Sequence, residues 1–463
     1  MINRRQFLRT ASGFGSFALA DLLAADTNPL APKKPHFPAT AKSVIFLFMP
    51  GGPSQIDLFD PKPELRKWHG KPLPASATKD LKLAFIQPNA NAVASPRQFA
   101  RHGQSGAEVS DLLPHIAKQA DDLCFVRALH TDAFNHDPGE LMLMTGAMQF
   151  GRPSMGAWAT YGLGSEAKDL PGFVVLSSGT GPSAGANNWS NGFLPSTHQG
   201  TPFRGSGESI LYLSNPDGVT RQMQRERLDV IRRLNEKHLR ETGDAEIEAR
   251  IASYELAFRM QMAAPDLLDL SREPKHLLDS YGVNHEPTHQ YGLHCLLARR
   301  MVERGVRFVL LSHGSWDDHN DLDKSLDKNC RITDQPAAAL IADLKQRGLL
   351  DSTLVIFGGE FGRTPMTQQQ RPDINYGRDH HPNCYSMWLA GGGIRAGVTV
   401  GKTDEFGLAG IEDRIHVNDL QATILHTLGF DHTRLTFPFS GRNFRLTDVA
   451  GEVASKLLRR PPV

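Results

Sequence analysis

Residues 43–53 read SVIFLFMPGGP, a short apolar run that stops at proline and glycine. A run that is apolar on both faces is typical of a central strand in a covered sheet. Further apolar runs at residues 123–127, 306–311, 353–357 and 386–390 predict more strands of that sheet. In the C-terminal half, helical patterns alternate with these runs. The alternation predicts an α/β fold in which helices cover both faces of a parallel sheet.

Helix signals accompany these strands. Helices are expected over residues 110–119, 289–304, 334–347 and 417–428. The first is amphipathic, with Ser110 as its N-cap. Asp334 and Pro336 are expected to open the third, because proline is favoured in the first turn of a helix. Asn418 is expected to cap the fourth, which stops at Gly429.

A charged segment interrupts this alternation. Residues 220–268 are helical in pattern and rich in Arg and Glu, and they lie within an expected helical insertion at about residues 215–290. The segment either covers one side of the sheet as solvated helices or forms an arm that binds a protein partner. We favour the solvated insertion, because a charge run usually forms the wet face of a helix.

The N-terminus carries an export pattern. Arg4 and Arg5 precede Phe-Leu and a modest apolar stretch to Ala25, which together predict a twin-arginine signal peptide over residues 1–25. An ordinary N-terminal helix with two arginines is the alternative. Residues 26–40 are expected to be a linker, and residues 41–463 one domain. No later segment is apolar for long enough to cross a bilayer, so we expect an exported, periplasmic protein.

Composition excludes one class of partner. Lys and Arg total 51 and Asp and Glu total 50 in 463 residues, for a formal charge of +1. Without a basic stripe, nucleic acid is not an expected partner. The four cysteines are far apart with no C-x-x-C spacing, so they leave both disulfides and buried free thiols open.

Carboxylates and imidazoles follow two of the expected strands and precede a third, the strand at residues 386–390. They occur in residues 312–321, 358–365 and 377–382, and they include Asp317, His319, Glu360, Asp379 and His380. Strand ends on one edge of an open α/β sheet converge, and Asp317 and His319, two residues apart, point the same way in an extended segment. Neutral His with ionised Asp or Glu suits Zn, Mn or Fe, whereas carboxylates alone suit Mg or Ca.

Arg363, three residues after Glu360, has two interpretations. It binds an anionic substrate oxygen, or it pairs with Glu360 and shapes the loop. Two other signals are rejected: Gly401-Lys402-Thr403 lacks the first glycine of a phosphate-binding loop, and Ser54 lacks the G-x-S-x-G elbow of a serine hydrolase.

Several of these stretches resemble the exported bacterial family called domain of unknown function 1501, in the alkaline phosphatase-like and sulfatase-like superfamily. The likeness covers about residues 40–455. The matching stretches are FMPGGPSQIDLFDPK (48–62), HDPG (136–139), WDDH (316–319), GEFGRTP (359–365), GRDHH (377–381) and LAGGG (389–393).

The resemblance implies a three-layer α/β/α sandwich with one or two divalent metals at the sheet edge. Asp317, His319 and His380 (or His381) look like the ligands of one metal, and Glu360 looks like a ligand of a second. Asp57 or Ser54 stands in for the strand-end Asp that is missing after the first strand.

His136 occupies the place of the superfamily nucleophile, where it could act as a base, a ligand or a nucleophile. The expected function is metal-dependent hydrolysis of a small-molecule or saccharide ester of sulfate or phosphate. The alternative is a non-catalytic binding or assembly protein on a degenerate hydrolase fold.

Overall fold

The computed structural model describes residues 29–79, 81, 83–203, 215–369 and 375–461. The expected signal peptide, residues 1–25, lies outside the described residues. Residues 29–42 contain neither helix nor strand. Their backbone forms hydrogen bonds with the rest of the chain; for example, the backbone N–H of His36 donates to the carbonyl oxygen of Gly429. Among the described residues, no helix is both long enough and apolar enough to cross a membrane.

In the part of the chain that the structure describes, a nine-stranded sheet forms the centre of the fold. Its strands are β1 Ser43–Phe48, β2 Leu123–His130, β3 Phe173–Ser178, β4 Thr201–Phe203, β5 Phe308–His313, β6 Thr353–Gly358, β7 Tyr385–Ala390, β8 Val398–Val400 and β9 Ile415–His416. The order is β8-β2-β7-β6-β1-β5-β3-β4, and β9 pairs with β2. All pairs are parallel except those of β7, which runs antiparallel to β2 and β6. The predicted α/β class with a mostly parallel sheet is confirmed.

Helices cover both faces of the sheet. The longer ones are α1 His136–Thr145, α2 Met155–Leu163, α3 Arg221–Thr242, α4 Ala245–Leu268, α5 His289–Glu303, α6 Leu322–Gln346 and α7 Val417–Thr427. Single-turn helices lie at Gln55–Leu58, Leu65–Trp68 and Ala75–Thr78, and a short one at Lys275–Ser280.

The first strand shows why its sequence is apolar throughout. Ile45 and Leu47 belong to the core cluster that also contains residues of α5 and α6, whereas Val44 and Phe46 belong to the cluster of α1, α2 and α7. Alternate side chains of a strand point to opposite faces. Both sets are therefore buried, and β1 occupies the centre of the sandwich.

Three of the helix predictions are wrong in detail. Residues 110–119 are not one helix: Ser110 ends a hairpin strand, Ala107–Ser110, that pairs with Phe99–His102, and a 3₁₀ helix follows at Ile116–Asp122. Pro114 disfavours helical geometry in the residue before it. The third helix begins at Leu322 and contains Pro336 in its interior, and the N-cap of α7 is His416 rather than Asn418.

The charged segment forms a helical hairpin of α3 and α4. No side chain of α3 is buried, whereas α4 buries Ala249, Ala264 and Leu267. Cys124, Cys295, Cys330 and Cys384 are all buried free thiols, which resolves the choice that their spacing left open.

Asp334 shows how α6 is tied to the rest of the fold. Its carboxylate accepts hydrogen bonds of 2.8 Å from the backbone N–H groups of His115 and Ile116.

We expect Asp334→Ala to lower the free energy of unfolding by about 2–4 kcal/mol, because two N–H groups lose their partner. Urea unfolding measures this. The control is Asp327→Ala on the same helix, which removes an exposed pair with Arg331 and changes stability by less than about 1 kcal/mol. Equal effects of the two variants would contradict the prediction.

Candidate metal centre

The site lies at the carboxyl edge of the central sheet. Strands β1, β5 and β6 end there, and β7, which is antiparallel, begins there. Just before β7, the strands Gly362–Thr367 and Arg378–His381 form a hairpin in which Arg363 lies opposite His380. The segments 312–321, 358–365 and 377–382, which carry the predicted site residues, therefore lie next to one another.

Four side chains meet at this edge. One potential ligand atom from each of His136, Asp317, His319 and His380 lies within 4.8 Å of the other three. Oδ1 of Asp317 is the common neighbour: it lies 2.8 Å from Nε2 of His319 and 3.2 Å from Nε2 of both His136 and His380. The two nitrogens of His319 and His380 are 3.0 Å apart.

The opposite nitrogen of each imidazole faces an acceptor. Nδ1 of His136 is 2.7 Å from Oε1 of Glu360, Nδ1 of His319 is 2.7 Å from Oε1 of Gln368, and Nδ1 of His380 is 2.7 Å from the carbonyl oxygen of Phe134. In the neutral imidazole, such an acceptor holds the proton on Nδ1 and leaves the lone pair on Nε2. Metal-ligating histidines in proteins have this arrangement.

These residues fit a divalent cation. Nε2 of His136 is buried and lies 3.2 Å from Oδ1 of Asp317, and the Nε2 atoms of His319 and His380 lie 3.0 Å apart. With each imidazole neutral and its proton on Nδ1, three Nε2 lone pairs would converge beside the Asp317 carboxylate, and a cation would bind to all of them. Three imidazoles and one carboxylate favour Zn, Mn or Fe over Mg or Ca, which prefer oxygen ligands.

The electrostatics of the cluster also favour positive charge. Burial alone would raise the pKa of Asp317, but hydrogen bonds with the three imidazoles and the charge of Arg363 hold it well below its usual range. Burial lowers the pKa of His136, yet the nearby carboxylates of Asp317 and Glu360 outweigh burial and raise the pKa to about 9. Without a metal, His136 therefore retains a proton between two carboxylates.

Glu360 lies behind His136 rather than among the four converging groups. Its fully buried carboxylate contacts Nδ1 of His136 and accepts hydrogen bonds from the backbone N–H of Gly51, 3.0 Å from Oε1. A carboxylate in this place orients the imidazole and raises its basicity. Its sequence-based assignment to a second metal remains a prediction.

Arg363 is fully buried and its guanidinium is engaged by backbone carbonyls. It donates to the carbonyl oxygens of Gly51, Gly52, Trp316 and Arg378. It also lies 2.6 Å from Oδ1 of Asp317. Its carboxylate partner is thus Asp317 and not Glu360, so the guanidinium positions a cluster residue and joins the loops around it.

Asp379 and His381 lie in the same hairpin as His380, but their side chains contact other residues. Oδ2 of Asp379 accepts from the backbone N–H groups of Phe85 and Ile86 at 2.8 and 3.2 Å. Nε2 of His381 lies 2.9 Å from the carbonyl oxygen of Leu408. Of the two adjacent histidines, the structure brings His380 into the cluster.

Asp57 is held in a buried ion pair with Arg378. Nε of Arg378 is 2.8 Å from its Oδ2, and the hydroxyl of Ser54 lies 2.5 Å from the same oxygen. Burial raises the pKa of Asp57, but Arg378 outweighs it and lowers the pKa below its usual value. The structure therefore places neither Asp57 nor Ser54 among the converging groups.

The sequence did not predict which residues accept hydrogen bonds from the Nδ1 atoms of the three imidazoles. Gln368 stands in a run of three glutamines, and Phe134 contributes only its backbone carbonyl, so neither has a side-chain signal that spacing could reveal. Phe361, whose ring centroid lies 4.5 Å from that of His380, sits within the quoted GEFGRTP stretch but was not expected to contact the imidazoles.

A family model described as "Protein of unknown function (DUF1501)" matches residues 41–458. The chain belongs to this family. No curated protein matches it. This assignment confirms the DUF1501 membership that the sequence motifs predicted.

Solved structures that align with this DUF1501 chain include sulfatases and phosphatases. The lipoteichoic acid synthase LtaP from Listeria monocytogenes is 8% identical, with 88% of this chain and 77% of that chain covered and a TM-score of 0.36. The PsFucS1 sulfatase from Pseudoalteromonas sp. is 13% identical, with coverages of 88% and 69% and a TM-score of 0.36. A TAB5 alkaline phosphatase variant with Mg bound in its M3 site is 11% identical, with coverages of 84% and 97% and a TM-score of 0.33. This degree of likeness carries no information about the activity of the chain.

The buried pair of Asp57 and Arg378 generates a testable prediction. We expect Asp57→Ala to lower the free energy of unfolding by about 3–5 kcal/mol, because it leaves the Arg378 charge buried and unpaired. Metal content should not change, since Asp57 lies outside the cluster. Urea unfolding and elemental analysis test both parts. The control is Glu64→Ala, which breaks an exposed pair with Lys67 and changes stability by less than about 1 kcal/mol.

Proposed function

We propose that this protein is a metal-dependent hydrolase of phosphate or sulfate esters. Its centre holds one divalent cation through His136, Asp317, His319 and His380. The observation that supports this most directly is the shared orientation of the three imidazoles, whose Nδ1 atoms face acceptors and whose Nε2 atoms face Asp317. Among the metals expected from the sequence, this donor set favours Zn or Mn over Mg or Ca.

The site has an open side on which an ester could bind. The side chain of Asp317 is 43% exposed, whereas that of His380 is 2% exposed. A catalytic centre needs such access, and a bound cation there would polarise the ester and favour ionisation of water. Glu360 would orient His136, and Arg363 would hold Asp317 in place without contacting the substrate.

The chain places an imidazole at the start of α1. His136 is the first residue of that helix, and its Nε2 points into the cluster. We therefore propose that His136 is a ligand, and that water rather than a side chain attacks the ester. The water oxygen forms a bond to phosphorus or sulfur, the bond to the ester oxygen breaks, and a proton passes from the water to the leaving alcohol.

Metal binding is tested first on the purified chain. We expect Asp317→Ala and His319→Ala to lower metal affinity by more than about 100-fold, and Glu360→Gln by about 10–100-fold, because an outer partner tunes a ligand without replacing it. Elemental mass spectrometry and competition with a chelator measure this. His276→Ala, at an exposed histidine on the short helix Lys275–Ser280, is the control. An unchanged metal affinity in Asp317→Ala would contradict the proposed centre.

Turnover is tested with the same variants. We expect 4-nitrophenyl phosphate or 4-nitrophenyl sulfate to be hydrolysed by the metal-loaded protein. Chelation should abolish the activity, and restoring the metal should recover it. The variants should lose kcat/KM in the order of their lost metal affinity, whereas His276→Ala should not. Metal bound with no hydrolysis of either ester would contradict the catalytic part of the proposal alone.

One observation favours a second candidate, a metal-bearing protein that binds its ligand without hydrolysing it. The guanidinium of Arg363 is fully buried and bonded to carbonyls and Asp317, so it is not free to stabilise charge that develops on a substrate. The exposed helical hairpin of α3 and α4 would then be a surface for a protein partner.

We further propose that the protein is exported through the twin-arginine route and acts in the periplasm. The support is the sequence of residues 1–25, in which paired arginines precede a modest apolar stretch. A folded chain could then receive its metal before it crosses the membrane.

The export proposal makes its own prediction. Replacing Arg4 and Arg5 together by lysine should lower the exported fraction at least about tenfold, because the pathway reads the arginine pair rather than positive charge. Cell fractionation and immunoblotting measure the two pools. Arg9→Lys leaves the pair intact and is the control. Equal export of the double variant and the control would contradict the twin-arginine assignment.

A further inference from the structure

Phe85 leaves an apolar ring in solvent directly beside the metal centre. Its side chain is 63% exposed. The ring centroid lies 5.5 Å from that of His380 and 5.8 Å from that of His319, in edge-to-face geometry. An exposed large apolar side chain next to converging polar groups often marks a place where a ligand binds.

The backbone of Phe85 is held firmly in this position. Asp379 accepts hydrogen bonds from the N–H groups of Phe85 and Ile86. Ile86 is buried in a small apolar cluster with Leu65 and Met366. Hydrogen bonds and apolar packing thus hold the backbone of this loop while the Phe85 ring stays exposed. The carboxylate of Asp379, next to His380 in sequence, determines the position of the ring.

Phe134 exposes a second phenyl ring on a residue whose backbone contacts the same histidine. It accepts the hydrogen bond from Nδ1 of His380 through its carbonyl oxygen, and its side chain is 43% exposed. Phe85 and Phe134 thus both contact His380, Phe85 through its ring and Phe134 through its backbone.

We propose that Phe85 and Phe134 bind the organic part of the ester, and that this part is a ring with an apolar face, aromatic or pyranose. The proposal rests on the proposed function, in which the anionic group of the ester binds at the cation. Phenyl rings bind ring-shaped groups by stacking or edge-to-face contact, in addition to the area that they bury. Phe85 and Phe134 are then specificity residues, and Asp379 is the positioning residue of Phe85.

Two phosphonates test the proposal without turnover. Methylphosphonate and phenylphosphonate carry the same anionic group, and only the second carries a ring. Titration calorimetry with the metal-loaded full chain should show phenylphosphonate binding about tenfold more tightly. Phe85→Ala should remove most of this preference while the affinity for methylphosphonate and the metal content stay unchanged. Phe134→Ala should act in the same direction.

Phe150 provides a matched control. Its ring is 62% exposed, but it follows the C-terminal end of α1, whereas His136 begins that helix. Phe150→Ala should leave both phosphonate affinities unchanged. Glucose 1-phosphate separates the two kinds of ring: an equal loss of its affinity in Phe85→Ala shows that pyranose rings bind there as well as aromatic rings, and a loss confined to phenylphosphonate assigns aromatic rings alone.

Failure of this inference can be told apart from failure of the proposed function. If both phosphonates bind with equal affinity, or if Phe85→Ala leaves their ratio unchanged, the ring-binding role of Phe85 is overturned and the metal centre stands. If the loaded protein binds neither phosphonate, the anion-binding centre fails and the ring-binding role fails with it.

Discussion

The buried guanidinium of Arg363 is the interaction on which the arrangement of the site depends. It joins the loop after β1, the loop after β5 and the hairpin before β7 by donating to carbonyls of Gly51, Gly52, Trp316 and Arg378. The same group contacts the carboxylate of Asp317. A buried charge is stable only when it is fully paired and hydrogen-bonded, so the loops must keep these carbonyls aimed at one point. The position of Asp317 follows from that constraint.

The orientation of the imidazoles depends on hydrogen bonds at their Nδ1 atoms. Each is held from behind by an acceptor on another segment: Glu360 after β6, Gln368 in the hairpin and the carbonyl of Phe134 after β2. The cluster therefore combines side chains from several crossovers with supports from others. Its geometry is a property of the whole sheet edge, because each of the three histidines lies on a different loop from the acceptor that holds it.

The sequence predicted the sheet well because its strands are buried on both faces, which makes them continuous apolar runs, and because glycine and proline follow them. Residues 43–48, 353–357 and 386–390 all fall on observed strands, and the first predicted run extends one residue too far, to Met49. The helix at 110–119 failed because its apolar pattern also suits a strand end followed by a 3₁₀ turn, and Pro114 decides between them. The start of α6 was missed because Pro336 suggested a helix opening, whereas the polar first turns of the helix gave no strong signal.

The structure brings together some of the predicted site residues and separates others, and their roles as metal ligands remain a prediction. Asp317, His319 and His380 lie together, as expected from strand ends on one edge. Asp57 and Asp379 are acids in equally suggestive motifs, yet one pairs with Arg378 and the other holds the loop of Phe85. Sequence cannot show which way a carboxylate points, nor that an aromatic ring from residue 85 stands beside imidazoles more than two hundred positions later.

The four buried thiols bear on the proposed export of this protein. Thiolates, rather than thiols, react with oxidants, and burial raises the pKa of Cys124 to about 12. The other three, Cys295, Cys330 and Cys384, are also buried with raised pKa values. A chain that entered an oxidising compartment unfolded would present all four to mispairing, whereas a chain that folds beforehand arrives with its sulfur chemistry shielded. Folding before export would therefore protect these thiols from mispairing, independently of any metal.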